Sequence, residues 1–216
     1  MNTGSIRSVV VEIDTFAPSV PVITSPTNGT HTNNVTPTFS GTADSGTTMT
    51  LHNASGTILC TTTAQADGTW SCTPGAALSE GTTTYIVTSE DDALPPNATV
   101  SAALTLTIDT TAPNAPSITA PSNALHTNDT TPNLSLTGEA NAGVTFFVRD
   151  ASGSILETLT GTTNGSGIFT TTPSILSDGS YLLDATLTDI AGNTSVLSSQ
   201  LSFVIDTTEG NTSILT

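Results

Sequence analysis

No lysine occurs anywhere in the 216 residues, and the positive charge at neutral pH rests on Arg7 and Arg149 alone. That scarcity excludes whole classes of function. Nucleic acid is held largely by Lys and Arg on phosphate, and anionic lipid attracts basic segments. A chain with 18 carboxylates and a formal charge of −16 is repelled by both. Without lysine, the Lys–Asn isopeptide crosslink of many Gram-positive sandwich domains cannot form. Aromatic residues make up only 4%, a thin supply for a ligand-stacking platform. No apolar run approaches the ~18 residues of a spanning helix, so membrane insertion is not expected. No segment keeps a helical period. Met1 opens on what reads as mid-domain sequence with no signal peptide, so the chain reads as a fragment of a longer protein.

What is present is threonine, serine and asparagine, with 35% apolar residues. A disordered mucin-like stalk would share the low charge, but here the apolar residues alternate. Ser8-Val-Val-Val-Glu-Ile-Asp14, Thr48-Met-Thr-Leu51, Thr105-Leu-Thr-Ile108 and Leu201-Ser-Phe-Val-Ile205 each read as strands with one buried face. Threonine is β-branched and suits a pleated surface. The chain is expected to be folded and all-β.

An internal repeat sets the organisation. Asp14-Thr-Phe-Ala-Pro18 returns as Asp109-Thr-Thr-Ala-Pro113 and in part as Asp206-Thr-Thr208 (14 to 109, 95 residues; 109 to 206, 97 residues). His31-Thr-Asn33 matches His126-Thr-Asn128, Asn53-Ala-Ser-Gly56 matches Asp150-Ala-Ser-Gly153, and Leu78-Ser-Glu-Gly81 matches Leu176-Ser-Asp-Gly179. The period is too long for a solenoid unit and suits one sandwich of seven short strands. Repeat one is placed at 15–109 and repeat two at 110–206. Residues 1–14 read as the last strand of a preceding repeat plus linker, and 207–216 as a tail or the start of the next repeat. In repeat one the turn residues predict strands at 20–25, 36–43, 48–53, 57–65, 69–74, 83–90 and 100–108.

The linker Asp-Thr-Thr-Ala-Pro, the hairpin Ala66-Asp-Gly-Thr-Trp70 and the loop Asp189-Ile-Ala-Gly-Asn-Thr-Ser195 resemble the bacterial Ig-like repeats of giant adhesins and biofilm-associated surface proteins. The resemblance implies two tandem Ig-like antiparallel β-sandwiches in an elongated arrangement. It also implies type I secretion to the bacterial cell surface and a non-enzymatic spacer role for a monomeric stalk. Its partners would be neighbouring repeats, with the host or abiotic surface reached through another domain. Relatives carry Ca2+ at domain junctions, and calcium takes six to eight oxygens. In an Ig topology the linker acid approaches the B–C and F–G loops. The expected ligands at the entrance to repeat two are therefore Asp109, Asp189, Glu139 and Asn141, faced by Asn33, Asn34 and Glu80. Those at the entrance to repeat one are Asp14, Asp44, Asp91 and Asp92. Repeat one departs from the loop pattern, with Glu90-Asp-Asp-Ala-Leu-Pro-Pro-Asn97 in place of Asp-x-Ala-Gly-Asn. Turn acids with purely backbone roles would look the same in sequence, and no contiguous calcium loop is present.

Cys60 and Cys72 flank the Asp67-Gly68 turn, with Glu157 and Thr171 at the matching places of repeat two. A disulfide here, closing a short loop and adding about 2–3 kcal/mol, competes with a pair of buried thiols. Two cysteines are too few for zinc. His31 and His126 hold the same repeat position, which suggests a turn role rather than catalysis. Trp70, Phe169, Tyr85 and Tyr181 read as core. The neighbouring carboxylates Asp91 and Asp92 would point to opposite faces of a strand, unlike a catalytic pair. Asn-x-Ser/Thr triplets, as at Asn34, Asn97 and Asn193, are expected by chance in this composition. The other functions weighed are a carbohydrate- or protein-binding module and an accessory domain of a secreted polysaccharide-degrading enzyme.

Overall fold

Alternation with a period of two places every second side chain on one face, and in the computed structural model it builds two sandwiches. The structure describes residues 13–208. The chain divides into two units at Ile108/Asp109. The strand expected before Asp14 falls almost wholly outside the described residues, as does Arg7.

In repeat one, β1 (Val22–Ser25), β3 (Phe39–Thr42) and β6 (Thr69–Cys72) form a three-stranded sheet in the order β1-β3-β6. The facing sheet contains β2 (Thr30–Thr32), β9 (Leu104–Ile108), β7 (Gly81–Glu90), β4 (Thr48–Asn53) and β5 (Ile58–Thr63) in the order β2-β9-β7-β4-β5, with β8 (Ala98–Val100) beside β7. Repeat two copies this plan. Its small sheet is β10 (Ser117–Ala120), β12 (Leu134–Thr137) and β15 (Ile168–Thr171). Its large sheet runs β11 (Leu125–Thr127), β17 (Leu201–Ile205), β16 (Gly179–Thr188), β13 (Gly143–Asp150) and β14 (Ile155–Thr162). No helix occurs among the described residues.

The inward positions are the apolar ones. Phe39, Met49, Leu51, Trp70, Tyr85, Val87, Leu104, Leu106 and Ile108 fill the first core. Leu136, Val144, Phe146, Val148, Tyr181, Leu183, Phe203 and Ile205 help fill the second, with Phe169 packed against it. Burying a side chain of this size contributes about 1.5–3 kcal/mol, so these residues hold each sandwich together. Gly41 marks where two backbones meet: a Cβ there would lie 1.8 Å from the Val22 carbonyl oxygen.

Three features differ from the sequence reading. The His31 and His126 segments are not simple turns but the short strands β2 and β11, which pair in parallel with β9 and β17. The sandwiches are therefore not purely antiparallel. Second, β5 and β6 do not form a hairpin. They lie in opposite sheets, and the Cys60–Cys72 disulfide, with Cα atoms 6.1 Å apart, joins one sheet to the other. In repeat two the Glu157 carboxylate takes this place. It accepts from the Ser174 amide at 3.0 Å and the Ser174 hydroxyl at 2.9 Å. Third, the half-buried Arg149 packs against the buried Asp184 on the outer face of the large sheet. Its Nε and Nη2 donate to the two carboxylate oxygens at 2.9 and 3.1 Å, Gln200 adds a further donor, and the guanidinium lies 5.3 Å over the Phe147 ring.

Candidate functional site

The loops at the incoming end of each repeat converge on the linker. In repeat two the F–G loop folds around Asp189, whose Oδ1 accepts the Asn193 amide at 2.8 Å. The Asn193 side chain then donates from Nδ2 to Asp189 Oδ2 and to the Asp109 backbone carbonyl, both at 2.8 Å. One amide group thus ties the incoming linker to its own domain. Repeat one builds the same clip from a loop two residues longer. Asn97 Nδ2 donates to Asp91 Oδ2 at 2.8 Å and to the Asp14 carbonyl at 3.3 Å, while Asp91 Oδ1 accepts the Ala93 and Asn97 amides. The two extra residues fall between Asp91 and Asn97, in the segment Asp92–Pro96. Asp44 adds a second hold in repeat one, accepting the Ser19 amide at 2.7 Å.

The hydrogen bonds set the charge state. The Asn97 side chain, with the backbone amides of Asn97 and Ala93, holds the Asp91 carboxyl below the usual carboxylate range. At Asp189 burial pushes the pKa up, but the donors from Asn193, Gly192 and Ala191 outweigh it and the group is held low. Both clips therefore carry a full negative charge near neutrality.

At the outgoing end of repeat two the Asp206 amide donates to the Thr127 carbonyl at 2.9 Å. Asp178 Oδ1 accepts the Thr207 amide at 3.0 Å and its hydroxyl at 2.7 Å. The Asp206 carboxylate caps the Thr208 amide and hydroxyl.

Of the residues singled out in sequence, Asp109 and Asp189 are brought together through Asn193, and Asp14 and Asp91 through Asn97. Asp109 uses its own carboxylate to cap Thr111. Glu139 and Asn141 are exposed, Glu139 offering its backbone carbonyl to Thr163 and Asn141 adopting φ 60°. Asp92 is exposed beside the clip of repeat one. Among the described residues no group of three or more His, Cys, Asp or Glu side chains is arranged to hold a metal ion. The oxygens are of the hard type calcium prefers, but within each repeat they already face amide hydrogens and do not form a cage. In sequence, the longer loop hides the correspondence of Asn97 to Asn193. The following Asn-x-Thr99 and Asn-x-Ser195 triplets were the available signal.

Two sandwiches of the same strand order, each with its own linker clip, define a tandem-repeat protein. The chain belongs to the bacterial Ig-like domain family, whose sequence profile matches residues 24–110 and 114–207. No curated protein matches it. Among solved structures it is similar to the fibronectin(III)-like modules of Clostridium thermocellum CbhA, at 16% identity and TM-score 0.52, covering 87% of this chain and 94% of that one. It also matches the tetra-tandem repeat in the extending region of a large adhesion protein, at 26% identity and TM-score 0.39, covering 87% of this chain and 49% of that one. A Ca2+-stabilized adhesin of an Antarctic bacterium that binds ice matches at 26% identity and TM-score 0.42, covering 79% and 44%. The chain spans about half the length or less of these two adhesin structures.

Proposed function

We propose that these repeats are spacers in the stalk of a large bacterial surface adhesin, non-enzymatic, extracellular, and serving to hold a distal binding domain away from the cell. The duplicated linker clip carries this reading: each repeat commits its most ordered polar loop to the chain that joins it to its neighbour. The aromatic side chains agree with it, apart from Phe16 of the linker segment, which is 85% exposed. Phe39, Trp70, Tyr85, Phe146, Tyr181 and Phe203 are buried or nearly so, Phe169 packs on the core, and Phe147 is covered by Arg149. Calcium keeps a place in the proposal as a second contribution to stiffness, drawn by 18 acids against two basic side chains, since neither repeat alone provides its cage.

Small-angle scattering of the whole chain tests the reading. Two sandwiches in series give an elongated profile, whereas a collapsed profile would overturn the spacer role. Repeating the measurement and a thermal melt with calcium and with chelator reports the metal, because a ligand bound only by the folded state raises Tm.

A binding module is the second reading, and one observation favours it. Both repeats carry a cleft at the same place between the first strand and the approach to the last. It measures ≈ 450 Å³ beside Pro116, Asn123 and Gln200, and ≈ 270 Å³ beside Pro21, Asn28 and Leu104. Saturable binding to a glycan panel or to matrix proteins would favour that reading over the spacer.

A further inference from the structure

A strand at the edge of a sheet leaves every second amide and carbonyl unpaired, and folded proteins blunt such edges with lysine, proline or a covering segment. The large sheet of repeat two ends on β14 (Ile155–Thr162), eight residues with no proline and one charged side chain, Glu157. Its hydrogen bonds fix which groups face outward. The Thr163 amide donates to the Ala142 carbonyl, on the β13 side. By alternation Gly161, Leu159 and Glu157 bond to β13, while Thr158, Thr160 and Thr162 direct their amides and carbonyls outward. The three threonines are exposed, and among the described residues no hydrogen bond reaches these outward groups.

Repeat one blunts the same edge. There the chain after β6 returns along β5, the Gly75 amide donates to the Leu59 carbonyl at 3.3 Å, and the Cys60–Cys72 bond holds the two strands together. In repeat two the corresponding chain is held off, because the Ser174 amide donates to the Glu157 side chain rather than to a β14 carbonyl.

We propose that β14 is a self-association edge, pairing antiparallel about Thr160 with β14 of a second copy of this chain. In that register the strand is its own complement. Thr158 faces Thr162 of the copy and Thr160 faces Thr160, so the outward groups of all three exchange bonds, and threonine pairs across strands are favourable. On the inner face Leu159 lies across from Gly161, a large residue against a small one. The chain carries a formal charge of −16, yet this seam holds little of it. The two Glu157 carboxylates fall at opposite ends, ~20 Å apart along the strand direction, beyond the ~8 Å over which exposed charges interact at physiological salt. A two-fold contact of this sort closes on itself and gives dimers rather than fibres. The pairing goes beyond the spacer role and does not depend on it.

So short a seam binds weakly, and sedimentation velocity of the whole chain from about 10 μM to about 1 mM spans the range in which it is populated. The sedimentation coefficient is expected to rise with concentration. The Thr158, Thr160 and Thr162 amides should exchange about twofold more slowly once half the chains are paired. Thr160→Pro removes an amide that is unpaired within its own domain, where an edge strand tolerates proline, and should leave a folded monomer at every concentration. Under mild oxidation Thr160→Cys should form an intermolecular disulfide, since the facing Cα atoms lie ~5.5 Å apart, whereas Thr158→Cys should not. A chain that stays monomeric throughout overturns the proposal and leaves the edge to an unrelated extended peptide. Association undiminished by Thr160→Pro, or equal cross-linking of Thr158→Cys and Thr160→Cys, overturns it as well. If Thr160→Pro fails to fold, the two cysteine variants decide alone.

Discussion

An Asp or Asn followed two positions later by Ser or Thr recurs through the loops, and at many of these places the side-chain oxygen accepts the amide two residues on. Asn34 caps Thr36, Asn53 caps Ser55, Asp67 caps Thr69, Asp129 caps Thr131, Asp150 caps Ser152 and Asn164 caps Ser166. Such Asx turns explain two features of the composition together. Of the triplets that look like chance in sequence, Asn34 is a backbone cap while Asn97 and Asn193 serve the clips through their side-chain Nδ2, and many of the acids are occupied by N–H groups. Donors to Asp67, Asp91, Asp150, Asp189 and Asp206 hold their pKa values below the ordinary one. Depressed carboxylates stabilise the fold above their unfolded pKa of about 3.9, and that contribution is lost as pH falls through the lower folded values. Tm is therefore expected to be flat from pH 8 to about 4.5 and to fall steeply below about 4, which a series of melts checks. At Asn193 the amide is the only donor between a carboxylate and a carbonyl. Asn193→Asp replaces that donor with a third oxygen, so the variant should melt lower than wild type in chelator and recover on adding calcium. Removing Asp184 leaves the Arg149 guanidinium without its partner in a site where Asp184 is 4% exposed. Asp184→Ala should cost about 2–3 kcal/mol in denaturant unfolding.

Between equivalent elements the two repeats use different chemistry for one task. The edge strand of the large sheet is fastened to the small sheet by the Cys60–Cys72 bond in repeat one, and in repeat two Glu157 holds Ser174 in the loop that follows the small sheet's β15. Reductant should therefore lower only one of two melting transitions, the loss amounting to about 2–3 kcal/mol, and Cys60→Ser with Cys72→Ser should reproduce it. Differential scanning calorimetry with and without reductant resolves this. Element existence was legible wherever alternation ran five or more residues, as in Thr48–Asn53 and Leu104–Ile108. It failed at Thr30–Thr32, because a three-residue strand pairing in parallel with a distant partner has neither alternation nor a local turn to mark it. The cross-sheet path of β5 to β6 was also hidden, since the Asp67-Gly68 turn reads identically whether the flanking strands pair with each other or with other neighbours. At the clip, Asp189 and Asn193 were legible as a motif while Asn97 was masked by the Leu94-Pro-Pro96 insertion.

For the whole molecule, the parallel pairs at the chain ends of each repeat have a mechanical consequence. Thr30 to Thr32 lies beside Leu106 to Ile108, and Leu125 to Thr127 beside Phe203 to Ile205. The first of each pair belongs to the incoming chain and the second leads out of the repeat. A pull applied to the two ends of a repeat drags these strands in opposite directions along their own axes, so their hydrogen bonds are loaded together in shear rather than unzipped in turn. Single-molecule stretching should give one high-force rupture per repeat. A proline at Thr127, inside β11 where it pairs with Ile205, is disfavoured in a paired strand and should lower that force for repeat two alone. A repeat built this way would hold out against a steady pull longest at the strands where its chain enters and leaves.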